Sequence, residues 1–279
     1  MGRYLRPHTL DDALGAMAAG RYAVLAGGTD FYPARVGSPI DEDVLDITAV
    51  SALRGIREAD GGFRIGALTT WSELVATPLP RQFDCLKLAA REIGGLQIQN
   101  AGTVAGNLCN ASPAADGVPA LLALDAAVEL RAAARRRVLP LAQFVLGNRR
   151  TACAPDELVT AVLLPCWGKH ARSTFLKLGA RKYLVISITM VAVALAVAED
   201  GAIVGCGVAV GACSPVAQRL DALERALTGR KLAPGLSAVV ELRHLAPLAP
   251  ISDVRGTAEY RSDAVVTLLR RALEQLADE

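Results

Sequence analysis

Two short stretches carry the residues whose types and spacing could do chemistry. They are Val24-Leu25-Ala26-Gly27-Gly28-Thr29-Asp30, followed by Phe31, and Gly102-Thr103-Val104-Ala105-Gly106-Asn107. In each, small residues and glycines follow an apolar run, so the backbone can come close to a ligand and aim several N–H groups at it. A phosphate or pyrophosphate is the natural guest. Neither stretch has the Gly-x-x-x-x-Gly-Lys-Ser/Thr spacing of a nucleoside-triphosphate loop, and neither is a Gly-x-Gly-x-x-Gly turn between strand and helix. Two separated loops must therefore converge in space. Thr29 and Asp30, with Thr103, Asn107, Asn110 and Ser112, add hydrogen-bonding side chains beside the amides, as a large polar ligand requires. A single Gly-Gly would be read as a tight turn and no more.

The elements that must position these stretches follow from periodicity. Thr9 precedes an acidic first turn and apolar residues at 10, 13, 14 and 17, which predicts a capped helix ending at Gly20. Tyr22 to Ala26 reads as a buried strand running into the first glycine turn, and Val44 to Ile47 as the next strand. From about residue 52 short strands follow, with Gly61-Gly62 as a turn. Helices are predicted at Trp71–Val75 and Leu86–Ile93, the second delivering the chain to the second glycine stretch. A buried helix over Pro119–Leu124 precedes strands at Ala126–Leu130, Arg137–Leu141 and Leu158–Leu164. Arg135-Arg136-Arg137 reads as a solvated turn rather than a polyanion site. The stretch 166–173 is the best linker. Beyond it come apolar strands at Ile186–Ala198 and Ile203–Val210, joined across Asp200-Gly201, then helices at Val216–Leu227 and Asp263–Leu276.

Composition excludes several classes. The 279 residues include 30 basic and 28 acidic ones, a net charge of +2, which gives no reason to expect nucleic acid or an anionic membrane. Aromatic residues are 4%, too few for base-stacking platforms. The six cysteines include no Cys-x-x-Cys pair, which disfavours a zinc or iron–sulfur site in this chain. No leader pattern is present, so a cytoplasmic, reducing setting is expected. The longest apolar run, Leu184 to Ala198, is too short to insert in a membrane.

In sequence order, Leu-Ala-Gly-Gly-Thr-Asp at 25–30, the run from Ile93 through Gly102-Thr103-Val104-Ala105-Gly106-Asn107 to Leu108, and Asn-Ala-Ser-Pro-Ala-Ala-Asp at 110–116 resemble the FAD-binding medium subunit of the molybdenum hydroxylases. This is the family of xanthine dehydrogenase and aerobic carbon monoxide dehydrogenase. The resemblance spans nearly the whole chain. It implies an α+β protein: a two-subdomain FAD-binding fold of the vanillyl-alcohol oxidase and p-cresol methylhydroxylase type (1–168, subdomains about 1–52 and 53–168), then a C-terminal antiparallel sheet with a helical bundle (169–279). It places noncovalent FAD on Val24, Leu25, Ala26, Gly27, Gly28, Thr29, Asp30 and Phe31, and on Thr103, Val104, Ala105, Gly106 and Asn107. Asp116 would lie near the ribityl or phosphate end, Val159 along the cofactor, and Lys177 in contact with it, where a cation would tune the flavin. Ile93 matches a position that is aromatic in some relatives, so Tyr32 or Tyr183 would have to supply any stacking. Ala105 stands where a glycine is usual, tolerable only if its φ is negative.

A flavin carries its own redox chemistry, and the sequence has no Ser–His–Asp, metal-ligand or paired-carboxylate constellation. None of the three histidines, His8, His170 and His244, is in or beside either glycine stretch, which disfavours histidine-linked FAD and points to surface or capping roles. The resemblance implies a large molybdenum-cofactor subunit and a small subunit with [2Fe–2S] clusters as partners, in a dimer of heterotrimers. Electrons would pass through this chain to an acceptor the sequence does not name. Two alternatives are a self-sufficient FAD oxidoreductase of the same fold, such as UDP-N-acetylenolpyruvylglucosamine reductase or a single-chain oxidase, and a scaffold subunit that has lost FAD.

Overall fold

The structure is a computed structural model and describes residues 2–278. The chain opens with β1 (Tyr4–Leu5), α1 (Leu10–Ala19), β2 (Ala23–Leu25) and β3 (Val44–Asp46), and the strands form a parallel sheet in the order β1-β3-β2. The α1 helix starts as its sequence predicts: the Thr9 hydroxyl accepts the Asp12 N–H at 3.1 Å and satisfies one of the orphan donors of the first turn. Its apolar stripe, Ala13, Leu14 and Met17, packs with Leu45 and Ile47. β2 is short. Its Leu25 carbonyl accepts from Ile47 N–H at 3.0 Å, and the chain then leaves the sheet into the first glycine stretch.

Next come β4 (Ile56–Ala59), β5 (Gly62–Gly66), α2 (Trp71–Ala76), α3 (Asp84–Glu92), α4 (Leu96–Ala101), α5 (Val104–Asn110) and α6 (Gly117–Ala123). They are followed by β6 (Ala127–Ala132), β7 (Arg135–Pro140), α7 (Leu141–Phe144), β8 (Val145–Gly147), β9 (Arg150–Thr151) and β10 (Leu158–Pro165). Five of these strands make an antiparallel sheet in the order β4-β5-β10-β6-β7. Two expectations change here. The second glycine stretch is no loop: α4 precedes it, and from Val104 onward it is the helix α5, capped by Thr103. The arginine run is solvated, as expected, but it is not the turn. It opens β7, with Arg135 on Asp156 and Arg137 on Glu157, each at 2.7 Å, and Arg136 on Glu129 at 2.6 Å. Neighbouring carboxylates pair with the three guanidinium groups, which stay partly in solvent on the strand, and Ala133-Ala134 is left to turn the chain.

The remainder consists of β11 (Arg172–Leu178), β12 (Thr189–Val197), β13 (Ile203–Gly211), β14 (Gln218–Arg219), α8 (Asp221–Leu227) and α9 (Ala258–Asp278), with an antiparallel sheet in the order β11-β12-β13-β14. Strand alternation sends its residues to two cores. Phe175, Met190, Ala192, Ala194 and Ala209 join the core built by α3, α5 and α6. Val191, Val193, Leu195, Val208 and Val210 face α8 and α9. The expected boundary after residue 168 therefore falls in the connection between β10 and β11, while the core runs on across it. β12 begins three residues later than predicted, because Ser187 turns inward to donate to Asp116 at 2.5 Å and Ile186 is left exposed. The helix predicted from Val216 is preceded by β14, since Gln218 and Arg219 pair with Val210 and Ala209. Among the described residues no helix is long and apolar enough to cross a membrane.

Candidate functional site: a cleft between two glycine motifs

The two motifs meet. A Cβ added to Gly27 would lie 1.9 Å from the Ala101 carbonyl oxygen and 3.0 Å from Gly102 Cα, so the first loop packs against the joint between α4 and α5 more closely than any other residue allows. Gly28 has φ +75°, a conformation that costs an L-residue roughly 1–2 kcal/mol. The result is a loop whose N–H groups at Gly27, Gly28, Thr29, Asp30 and Phe31 donate to no acceptor among the described residues. Consecutive free amides of this kind form a concavity for an anion.

The second motif contributes differently. Val104 N–H donates to the Thr69 carbonyl at 3.0 Å, Asn107 N–H to the Thr103 carbonyl at 3.1 Å, and Gly106 N–H to the Thr103 hydroxyl at 2.9 Å. Among the described residues, the first turn of α5 thereby keeps only the Ala105 N–H unpartnered. Ala105 is absent from the positive-φ residues, so its methyl group sits in ordinary helical backbone without strain. Asn107 Oδ1 is buried with no hydrogen-bond partner among the described residues. A buried acceptor left open costs about 1–3 kcal/mol, which a ligand hydroxyl or amide would recover.

Between the motifs lies a cavity of about 430 Å³, in the size range of cofactor sites. Of the residues expected at the site, Val24, Ala26 to Phe31, Thr103, Ala105, Gly106, Asn107 and Val159 line it, as do Ile93 and Asn110. Leu25 and Val104 are buried behind it and Asp116 and Lys177 lie off its wall. Tyr32 and Tyr183 are exposed and neither lines it. Phe31 is the aromatic residue of the first motif that does, with the Arg35 guanidinium 3.8 Å over its ring. Among the described residues no histidine lines the cavity. His8 and His170 are exposed, whereas His244 is buried; its Nδ1 accepts the Glu241 N–H, and burial pushes its pKa below the ordinary value.

One wall escaped the sequence reading. The β8–β9 hairpin and the segment after it bring Arg149, Thr151, Cys153 and Glu157 to the cavity. Gly147-Asn148 between Val145 and Thr151 was a legible turn signal, but nothing local says that this hairpin folds over α5. Glu157 is fully buried; the hydrogen bonds of Arg137 hold its carboxyl down at about 2 despite the cost of burial, with help from Ala154 N–H and Arg135.

Asp116 and Lys177 form a buried ion pair, Nζ to Oδ2 at 2.7 Å. Lys177 also donates to the Glu92 carbonyl at 3.3 Å. Burial pushes the Asp116 carboxyl above its ordinary pKa, against the pull of Lys177 and Ser187. Lys177, expected in contact with the cofactor, and Asp116, expected near its ribityl or phosphate end, are thus bound to each other. Taken out of water, each charge is stabilised chiefly by the other.

A cleft of free amides with hydrogen-bonding side chains at its edge defines a class: a protein that holds a large, phosphate-bearing ligand. Residues 1–167 match the family described as the FAD binding domain in molybdopterin dehydrogenase, and residues 174–276 match the CO dehydrogenase flavoprotein C-terminal domain. The chain is 31% identical to the carbon monoxide dehydrogenase medium chain of Afipia carboxidovorans, over 98% of this chain and 95% of that one. It is 30% identical to the nicotine 6-hydroxylase medium subunit of Paenarthrobacter nicotinovorans, over 97% and 95%. Its structure superposes on a chain of the reconstituted CO dehydrogenase from Oligotropha carboxidovorans with a TM-score of 0.89 at 28% identity, covering 100% and 98% of the two chains. The chain belongs to the FAD-binding subunits of the molybdopterin dehydrogenases, an oxidoreductase family that includes the xanthine and carbon monoxide dehydrogenases.

Proposed function

We propose that this chain holds one noncovalent FAD in the cleft and relays electrons within a molybdenum hydroxylase. It would take them from [2Fe–2S] clusters of a small partner subunit, while a large partner holds the molybdenum cofactor. The outlet is an external acceptor, the assembly a dimer of heterotrimers, and the setting the cytoplasm, in keeping with six cysteines that are all free thiols. The observation that carries this reading is the run of unpartnered amides from Gly27 to Phe31 on the cavity wall, opposite the open Asn107 Oδ1.

When bound, FAD supplies the electron exchange itself; the chain supplies binding, orientation and shelter. The free amides would receive the pyrophosphate, Asn107 a hydroxyl or amide of the ligand, and the apolar Val159 and Ile93 would exclude water. For Asp116 and Lys177 we keep the cofactor-side role that the resemblance implies, with one change. Their pair is close to electroneutral, so it would act through oriented hydrogen bonds more than through a net positive charge. Ala105, which stands where a glycine is usual, lies in the helix α5 without positive φ, which supports FAD binding over the scaffold alternative.

The test is acid precipitation of the chain purified from its native assembly. FAD near one per chain in the supernatant supports the reading. A colourless chain with intact partners rejects it.

A further inference from the structure

Among the described residues, four charged ones line the cleft: Asp30, Arg35, Arg149 and Glu157. Arg35 is ion-paired with Glu42, and Glu157 with Arg135 and Arg137. Arg149 alone among the lining cations has no ion-pair or side-chain hydrogen-bond partner among the described residues. Its backbone is equally unusual. Arg149 has φ +53°, and its N–H donates at 3.1 Å to the carbonyl of Ala111, itself at φ +48°. The tip of the β8–β9 hairpin is thus pinned to the end of α5 by two residues in a conformation that glycine or asparagine adopts more cheaply. Arg149 is exposed, so its unpaired positive charge stands at the solvent edge of a cavity that the free amides of the first motif also line.

We propose that Arg149 is the counter-ion of the ligand's diphosphate in this cleft. The inference rests on the FAD reading above and assigns to a named side chain the charge that neutral amides cannot supply. Loss of one charge-assisted contact to a phosphate corresponds to about a ten- to hundredfold loss of affinity.

The experiment uses the full chain stripped of cofactor, the variants R149N and R149K, and titration with FAD, ADP, adenosine and riboflavin. Asparagine tolerates positive φ, so R149N is expected to fold and to raise the Tm of the ligand-free chain. It is also expected to weaken FAD and ADP by a similar ten- to hundredfold, to leave adenosine and riboflavin within about twofold, and to lose most of the salt dependence of FAD binding. R149K, which keeps the charge, should recover part of the loss. Unchanged FAD affinity in R149N with a wild-type chain that binds FAD overturns the role of Arg149 and leaves the FAD reading standing. Equal losses for ADP and adenosine also overturn it, because they place Arg149 on the base. A wild-type chain that takes up no FAD overturns both.

Discussion

The two glycine motifs look alike as sequence and differ as structure. The first is a loop that keeps five consecutive amides free; the second is the start of a helix, where three of the four amides from Val104 to Asn107 already have acceptors. In the first, glycine is required by contact and conformation: Gly27 faces a backbone carbonyl and Gly28 has positive φ. In the second, a Cβ on Gly106 would meet the Thr103 side chain, its hydroxyl at 2.7 Å and its Cβ at 3.9 Å, and no backbone atom outside the helix among the described residues. Resemblance between motifs is therefore no measure of equal roles. The first motif makes the anion site, and the second supplies a rigid floor together with one free amide and the Asn107 acceptor.

The sharpest way to break this comparison is Gly27→Ala against Gly106→Ala. The Gly27 methyl group would collide with Ala101 backbone that cannot rotate away. FAD content should fall at least about a hundredfold and stability by roughly 1–3 kcal/mol, the cost of overpacking. Gly106→Ala would push aside the Thr103 hydroxyl and disturb a cap worth about 1 kcal/mol, with FAD still bound. Flavin release and thermal melts of the two variants decide it, and equal losses would mean that the motifs are equivalent after all.

Much of this was legible in the sequence because the determinants are local. The Thr9 cap, the helix opening at Trp71, the Asp200-Gly201 turn and the period-two strands depend on neighbours a few residues away, whereas the turn expected at Gly61-Gly62 falls one residue earlier, at Asp60-Gly61, with Gly62 already in β5. The glycine motifs, too, pointed to one cleft. What stayed hidden depends on distant partners. Arg135, Arg136 and Arg137 enter a strand because Asp156, Glu157 and Glu129 await them. Ser187 cuts β12 short because Asp116 lies 71 residues away in the chain. The hairpin that carries Arg149 has no sequence mark of the helix it covers.

The hairpin wall offers a second, smaller test. Glu157 titrates near 2 when folded, against an ordinary value of 4.5. Its carboxylate therefore contributes stability that is fully present above about pH 4.5 and is lost as the pH falls toward 2. Glu129 is also held at about 2: burial alone would raise it, but Thr160, Arg64 and Arg136 outweigh that cost. Glu157→Gln should cost about 1.5–3 kcal/mol at neutral pH, the range for hydrogen bonds to a charged group. It should also reduce, without abolishing, the fall of stability between pH 4.5 and 2, since Glu129 remains. Urea melts across that range measure both effects. FAD affinity should drop as well, because Ala154 N–H and the strand entry at Leu158 lose their anchor; a stability loss with unaltered FAD affinity would separate this wall from the cleft.

The smallest expected effect is the most discriminating. If the second motif were a loop like the first, restoring the usual glycine with Ala105→Gly would free its backbone and tighten FAD. In the structure Ala105 lies in the first turn of a helix at negative φ and is buried. Glycine there gains no new conformation, leaves a methyl-sized gap and raises the entropy of the unfolded chain. The expected outcome is a loss of about 0.5–1 kcal/mol in stability with FAD affinity changed by less than about threefold, read from parallel denaturant and flavin titrations. A tenfold tighter complex would mean that the amide of residue 105 must move to meet its ligand, and that the helical floor is shaped by FAD rather than prepared for it.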